Sequence, residues 1–256
     1  MTDILSVENL CVTFGSNPVL LDLTFAVKRG ESVAIIGESG CGKTVLLKTM
    51  IDLLQPSSGR VVFDGCDLSG LSYFELVQIR TRFGFVFQQA ALFDSMTIEE
   101  NIAFSLVQHT HLSTDEIKER VERLLADTGL HDKTLQKKPA ELSGGMRKRV
   151  GIARSLALEP ELMLYDEPTT GLDPVMSDLI NDLMISVRKR YGVTSIMVTH
   201  DLRSACKVAD RIIMLSPLAK LQSDEPQIVF DGTPAAFNSS VNRHVKKFTD
   251  VCCADV

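Results

Sequence analysis

No apolar run in the chain approaches the roughly 18–20 residues that span a bilayer. The longest, Val33-Ala34-Ile35-Ile36 and Ile212-Ile213-Met214-Leu215, have the length of buried strands. A membrane-spanning helix is therefore not expected, and any membrane role has to come through a partner. The six cysteines, Cys11, Cys41, Cys66, Cys206, Cys252 and Cys253, show no C-x-x-C spacing. In a chain this long that argues against a zinc site or a disulfide frame and for reduced cytosolic thiols. The opening Met1-Thr2-Asp3-Ile4-Leu5 lacks the charged-then-apolar order of a signal peptide. Positive charge is not in excess either: the formal net charge is −6. Broad binding to nucleic acid relies on Lys and Arg neutralising phosphates, so no nucleic-acid partner is expected. There is no internal repeat.

What is present is a well-packed α/β pattern. With 256 residues and 45% hydrophobic content, the chain is near the upper limit for one continuous core. Ile4 to Phe14 and Val19 to Val27 read as strands flanking a turn at Gly15-Ser16-Asn17-Pro18. Ser32 to Ile36 is a continuous apolar run, as for a strand covered on both faces, and Thr44 to Leu54 reads as a helix. Arg60 to Gly65, Phe83 to Phe87, Leu162 to Tyr165, Thr194 to Val198 and Arg211 to Leu215 are further strand candidates. Ser113 with Glu116 forms a capping box, and Asp173-Pro174 and Thr233-Pro234 are cap-plus-N1 pairs. The stretch 89–159 reads as a helical subdomain inserted into the α/β core. One domain is expected over 1–238. The tail 239–256 is expected to be disordered or to dock on a neighbour.

The chemistry starts at Gly37-Glu38-Ser39-Gly40-Cys41-Gly42-Lys43-Thr44. This fits G-x-x-x-x-G-K-[ST], whose backbone N–H groups cradle nucleotide phosphates. Lys43 can reach the β- and γ-phosphates and Thr44 can put its hydroxyl on Mg²⁺. The expected cofactors are thus a nucleoside triphosphate and Mg²⁺. A second Gly-rich segment, Leu142-Ser143-Gly144-Gly145, opens a helix bearing Arg147, Lys148, Arg149 and Arg154. Amides and a helix N-terminus make an anion site; the basic residues read as a solvated face or as contacts for a partner. Asp166 and Glu167 close the strand Leu162 to Tyr165. Asp166 would hold the metal shell and Glu167 would act as general base, a role worth roughly 10²–10⁴-fold in rate. Gln88 lies 45 positions after Lys43, where a neutral amide can touch both the metal shell and the attacking water. His200 follows a buried strand and can hydrogen-bond the γ-phosphate. Phe14 is the candidate adenine platform. Cys41 is either a thiolate favoured by Lys43 and the loop amides or an inert small residue filling the turn.

In order along the chain, these segments resemble the ATP-binding cassette (ABC) family from Val7 to about Thr233. The resemblance includes the spacing of 100 positions from Lys43 to Ser143 and 23 from there to Asp166. It implies a P-loop NTPase fold with a RecA-like core, an N-terminal antiparallel β subdomain and the helical insert. It also implies a head-to-tail homodimer in which ATP lies between a phosphate loop and the opposite Ser143-Gly144-Gly145, with Asp173 among the nucleotide-facing residues. A second layer looks like the ATPases of MCE-type lipid transporters, the Mla group. It is carried by Phe87 to Phe93, Asn101 to Phe104, Leu106, Gln108-His109-Thr110, Gly144 to Arg149 and Val245 to Phe248. That likeness implies an integral-membrane permease, an MCE-domain protein, a STAS-domain regulator, a lipid cargo and a location on the cytoplasmic face of the inner membrane. Met146 stands where many ABC members have Gln, a change shared by the lipid group, and Phe14 replaces the commoner Tyr. The competing readings are the ATPase of an amino-acid importer, a chromosome or repair ATPase, and a non-hydrolysing subunit. The 100-residue interval leaves no room for the long coiled coil of the second, and Lys43, Glu167 and His200 argue against the third.

Overall fold

The computed structural model describes residues 2–254. In chain order the strands are β1 (Asp3–Phe14), β2 (Asn17–Lys28), β3 (Ser32–Gly37), β4 (Ser58–Phe63), β5 (Cys66–Asp67), β6 (Phe83–Val86), β7 (Leu162–Asp166), β8 (Thr194–Thr199), β9 (Arg211–Leu215) and β10 (Ile228–Gly232). The helices are α1 (Lys43–Met50), α2 (Tyr73–Arg80), α3 (Ile98–His109), α4 (Thr114–Asp127), α5 (Gly144–Ser155), α6 (Pro174–Tyr191), α7 (Leu202–Val208), α8 (Pro234–Asn238) and α9 (Arg243–Ala254). They divide into two compact units, one built from residues up to Arg80 and from Thr194 on, the other from Thr81–Val193.

The first unit holds an antiparallel sheet in the order β2-β1-β4-β5, and the strands β10-β9-β3-β8 of a second sheet. In the latter, β3 runs parallel to both β8 and β9, while β10 pairs antiparallel with β9. Every residue of β3 and of β8 is buried, which is why neither alternates: Val33 to Ile36 run apolar in β3, and Ile196, Met197 and Val198 run apolar between hydroxyl residues in β8. Each buried Val or Ile there contributes roughly 1.5–3 kcal/mol. A half-exposed ion pair such as Arg29–Asp64 contributes about 0–1 kcal/mol, so burial sets the register of the central strands.

The second unit contains the parallel pair β6-β7, with Val86 opposite Tyr165, and the helices α3 to α6. All of its regular elements between Gln89 and Glu159 are helical. Ser113 and Glu116 form the expected reciprocal capping box on α4, and Thr97 and Glu100 form another on α3. Asp173 caps α6 with Pro174 in its first turn. Ile102, Leu106, Val121, Leu125, Val150 and Ile152 are fully buried in this unit.

Several boundaries differ from the sequence expectation: β2 runs two residues earlier and one later than Val19 to Val27, and β4 runs Ser58–Phe63 rather than Arg60 to Gly65. Helix α1 stops at Met50 because Asp52 turns left-handed at φ 56°. Strand β6 stops at Val86, before Phe87. The tail is not separate: Arg243–Ala254 is helical, beside β10, and Val245 and Phe248, three residues apart, are buried. The last residues of that tail, Asp255 and Val256, lie outside the described residues.

Candidate functional site

The glycine-rich loop Gly37 to Thr44 lies in the first unit. Strand β3 delivers Gly37, and α1 begins at Lys43 after Gly42. Gly42 has φ 99°, and a Cβ on it would meet Leu20 Cδ2 at 2.5 Å, so only glycine fits there. No side chain caps α1, and its first turn holds no acid. That leaves backbone N–H groups and the positive end of the helix for an anion. Lys43 is 7% exposed. Its Nζ donates to the carbonyls of Gly37 (2.7 Å) and Glu38 (3.2 Å), which folds the ammonium back over the loop. Thr44 follows it as the second residue of α1. Glu38 is ion-paired with Lys220. Parallel pairing sets Ile36 opposite Thr199, so Gly37 and His200 leave their strands side by side. His200 is exposed. It precedes Asp201, whose N–H donates to Thr199 Oγ1 at 3.0 Å and whose carboxylate caps α7. Phe14 ends β1 at the hairpin and is 49% exposed, so its ring is not a core element.

Of the two readings of Cys41, burial favours the inert residue filling the turn. It is 1% exposed, and burial pushes its thiol pKa up, outweighing the pull of Lys43 in the other direction. The sequence also gave no notice of Gln227. This residue is 3% exposed. Its amide donates to Val19 O (3.0 Å) and Cys41 O (3.2 Å), and its oxygen accepts from Leu21 N–H (2.9 Å). It fastens the phosphate loop to β2.

The acidic pair lies in the second unit. Asp166 ends β7 and Glu167 follows it, 5% and 9% exposed. The β6-β7 register puts Gln88 and Glu167 each two residues past paired positions. Glu167 is left-handed at φ 48°, and its carboxylate accepts from Thr170 Oγ1 at 3.1 Å. Ala90 and Ala91, beyond Gln88, are left-handed as well, at 61° and 47°. Non-glycine residues held this way cost about 1–3 kcal/mol each and persist only where surroundings fix them.

Ser143 is the N-cap of α5: its Oγ accepts from Met146 N–H at 3.3 Å. Gly144 and Gly145 form the first turn, which has no acid. Gly145 packs against the tip of Met176: a Cβ there would stand 2.4 Å from Met176 Cε, so that flexible side chain would have to move. Asp173 uses its carboxylate on the N–H groups of Val175 and Met176, both at 3.0 Å. The basic run on α5 splits in a way its composition did not announce. Arg149 stays outward, reaching only Gly129 O at 3.3 Å. Lys148 is 6% exposed and donates to Gln88 O and Glu167 O, and Arg154 donates to Ala90 O and Ala91 O. Those two are not a solvated face. Burial lowers the Lys148 pKa, while the nearby Glu167 and Asp166 carboxylates oppose that shift.

The second unit also has an aromatic groove of about 320 Å³, lined by Phe85, Phe87, Phe93, Phe104 and Arg154 among others. Phe93 and Phe104 stack at 4.9 Å between centroids, and the Arg154 guanidinium lies over Phe93. Among the described residues no group of three or more His, Cys, Asp or Glu side chains is arranged to hold a metal. No helix among them is long and apolar enough to cross a membrane.

Residues 20–170 match the family model described as ABC transporter. The chain is 40% identical over 233 residues to the probable ribonucleotide transport ATP-binding protein mkl of Mycobacterium tuberculosis, covering 88% of this chain and 65% of that protein's length. It is 35% identical over 246 residues to the intermembrane phospholipid transport system ATP-binding protein MlaF of Haemophilus influenzae, covering 96% and 90%. Among solved structures it superposes on the dimeric ATP-binding cassette MJ0796 bound to ADP and Pi, with a TM-score of 0.80 and 31% identity over 90% of this chain and 98% of that one.

Proposed function

The chain belongs to the ABC transporter family of ATP-binding proteins, and we propose that it hydrolyses ATP to power an ABC transporter for phospholipid or a related lipid. Its fold is that of the ABC cassettes, as the motif order led one to expect. The observation that carries the ATPase reading is the phosphate loop. A buried lysine arches over two loop carbonyls at the foot of an uncapped helix, an arrangement suited to an anion and to little else. The likeness to a cassette dimer bound to ADP and Pi supports the same reading.

In this proposal Gly37 to Thr44 cradle the phosphates and Phe14 stacks on the adenine. Ser143, Gly144 and Gly145 serve the nucleotide of the other protomer in a homodimer, with Asp173 at the same face. Thr44, Gln88 and Asp166 offer a hydroxyl, an amide and a carboxylate, hard oxygen donors suited to Mg²⁺ with phosphate oxygens and water completing its shell. Magnesium, when bound, supplies neutralisation of charge on the phosphates. Glu167 takes the proton of the attacking water, and His200 donates to the γ-phosphate oxygens. Replacing Glu167 with Gln should lower turnover by about 10²-fold or more, leave ATP binding intact and trap the dimer. Hydrolysis at the parental rate would remove Glu167 from the role.

The lipid reading draws support from MlaF; the aromatic groove suits an apolar helix of an integral-membrane permease, whatever the cargo. An MCE-domain protein, a STAS-domain regulator and a location at the cytoplasmic face of the inner membrane belong to the same proposal. The name of the mkl relative points to another cargo. Vesicles containing the chain and the permease that co-purifies with it decide between the two. ATP-dependent transfer of labelled phospholipid supports the lipid reading. Uptake of ribonucleotide or of an amino acid without lipid transfer overturns it.

A further inference from the structure

Helix α5 does more than present Ser143 at its start. Its inward stripe donates hydrogen bonds to a run of backbone carbonyls in the Gln88 segment. Ser155 Oγ donates to Phe85 O at 2.8 Å, Lys148 Nζ to Gln88 O, and Arg154 to Ala90 O (2.8 Å) and Ala91 O (2.7 Å). Gly151, on the same stripe, sits against Ala90. Lys148 alone also reaches the other chemical segment, donating to Glu167 O at 3.2 Å.

Two points set Lys148 apart from a packing residue. An ammonium is costly to bury unless its protons are taken up, and Lys148 is 6% exposed with two carbonyls as partners. An apolar side chain in its place would leave both without this donor. The carbonyls also belong to the two segments whose backbones are left-handed, Glu167 itself and Ala90-Ala91 just past Gln88. Their geometry is held from outside, and Lys148 is the one α5 side chain that holds both. At 1.5 Å per residue it sits about 7.5 Å along α5 from Ser143, on the same rigid rod.

We propose that Lys148 is a positioning residue for ATP hydrolysis: it ties the backbones of Gln88 and Glu167 to the helix that begins at Ser143, so that base and amide are set together and follow the Ser143 end of that helix. Lys148 acts through those two residues: its hydrogen bonds go to their carbonyls, and the Glu167 and Asp166 carboxylates lie near its charge. The inference rests on the reading of Glu167 as general base. A misplacement of about 1 Å in a reacting group costs on the order of 10²-fold in rate, which sets the scale of the effect.

The test measures kcat, ATP affinity with a fluorescent ATP analogue, and melting temperature for Lys148→Arg, Lys148→Gln and Lys148→Met. Arg can serve both carbonyls, Gln offers one amide group and Met none. The expected order of kcat is parent, Arg, Gln, Met. Met should be about 10- to 100-fold down, with the ATP analogue bound within about two-fold of parent, as expected when no ligand contact is lost. A Met variant that turns over at the parental rate overturns the proposal. So does a joint fall of kcat, affinity and melting temperature that Arg does not rescue, because that is a purely structural strut. Where the Met variant does not fold, Gln carries the test: lowered kcat at parental affinity supports the proposal, and failure of Gln to fold as well overturns it. Glu167→Gln is assayed in parallel. If that variant still hydrolyses ATP, the base assignment fails. If it is inactive while Lys148→Met is normal, only the positioning role fails.

Discussion

Each of the two units buries one lysine in the same manner. Lys43 is 7% exposed and donates to the carbonyls of Gly37 and Glu38; Lys148 is 6% exposed and donates to those of Gln88 and Glu167. The difference is reach. The acceptors of Lys43 lie six and five residues away, whereas those of Lys148 lie 60 and 19 residues away. A short-range bond builds a loop that a ligand can enter. A long-range bond joins segments that the chain itself keeps apart. One lysine is therefore suited to touch phosphate, the other to hold what acts on phosphate.

The strongest way to break this contrast is at Lys43. Lys43→Ala removes the ammonium proposed to face the phosphates and also takes this donor from the carbonyls of Gly37 and Glu38. We expect kcat/KM for ATP to fall at least about 10²-fold, the scale for losing one donor to a transition-state oxyanion, and ATP-analogue binding to weaken with it. Steady-state ATPase assays and equilibrium binding check both. At Lys148 only the first of these quantities should move. If affinity and turnover changed in parallel at both positions, the division between a ligand-facing and a framework lysine would disappear.

The same difference in reach explains how much could be read in advance. The phosphate loop, the capping box of α4, the Asp173-Pro174 start of α6 and the buried strands β3, β8 and β9 are written in residues a few positions apart. All of them stand in the structure where the spacing put them. Lys148 and Arg154 sit in a run of basic residues, and nothing in that run separates the two that turn inward from Arg149, which stays out. The carbonyls that receive them come from the segments that follow β6 and β7, so the information is tertiary. Gln227 is the same case, with partners 208 and 186 residues away. Helix α2 was missed for the opposite reason. Tyr73 and Phe74 are 79% and 72% exposed, and Leu76 is its one buried residue, so no apolar stripe marks it.

Gln227 sharpens the comparison at a smaller scale, because it is a long-range tie on the ligand-facing side. Gln227→Leu keeps the volume but leaves Val19 O, Cys41 O and Leu21 N–H without the partner they have now. A buried backbone group left unsatisfied costs about 1–3 kcal/mol. We expect a loss of that order in unfolding free energy by urea titration, together with weaker ATP-analogue binding as the loop loses its anchor to β2. A stability loss with unchanged nucleotide affinity would mean that the loop holds its shape without the tie, and that long-range support matters only at the acidic pair.

The smallest effect is expected at Cys41, which tests whether the phosphate loop is packed as tightly as Lys43 makes it. Burial raises its thiol pKa above the ordinary range, against the pull of Lys43. The thiolate, the form that reacts, is thus scarce and covered in the native protein. A thiol reagent at neutral pH should label Cys41 more slowly in the folded protein than in urea, with or without ATP, as peptide mapping of the labelled chain would show. Linkage gives the accompanying pH effect. Below the ordinary thiol range both folded and unfolded chains hold the proton. As pH rises through that range the unfolded chain loses it first, so stability falls toward alkaline pH. A Cys41→Ser variant should lose that part of the alkaline decline. Rapid labelling that ATP suppresses would instead place an ionised thiol at the mouth of the loop, and the packing described for Lys43 would have to be open enough to admit the reagent.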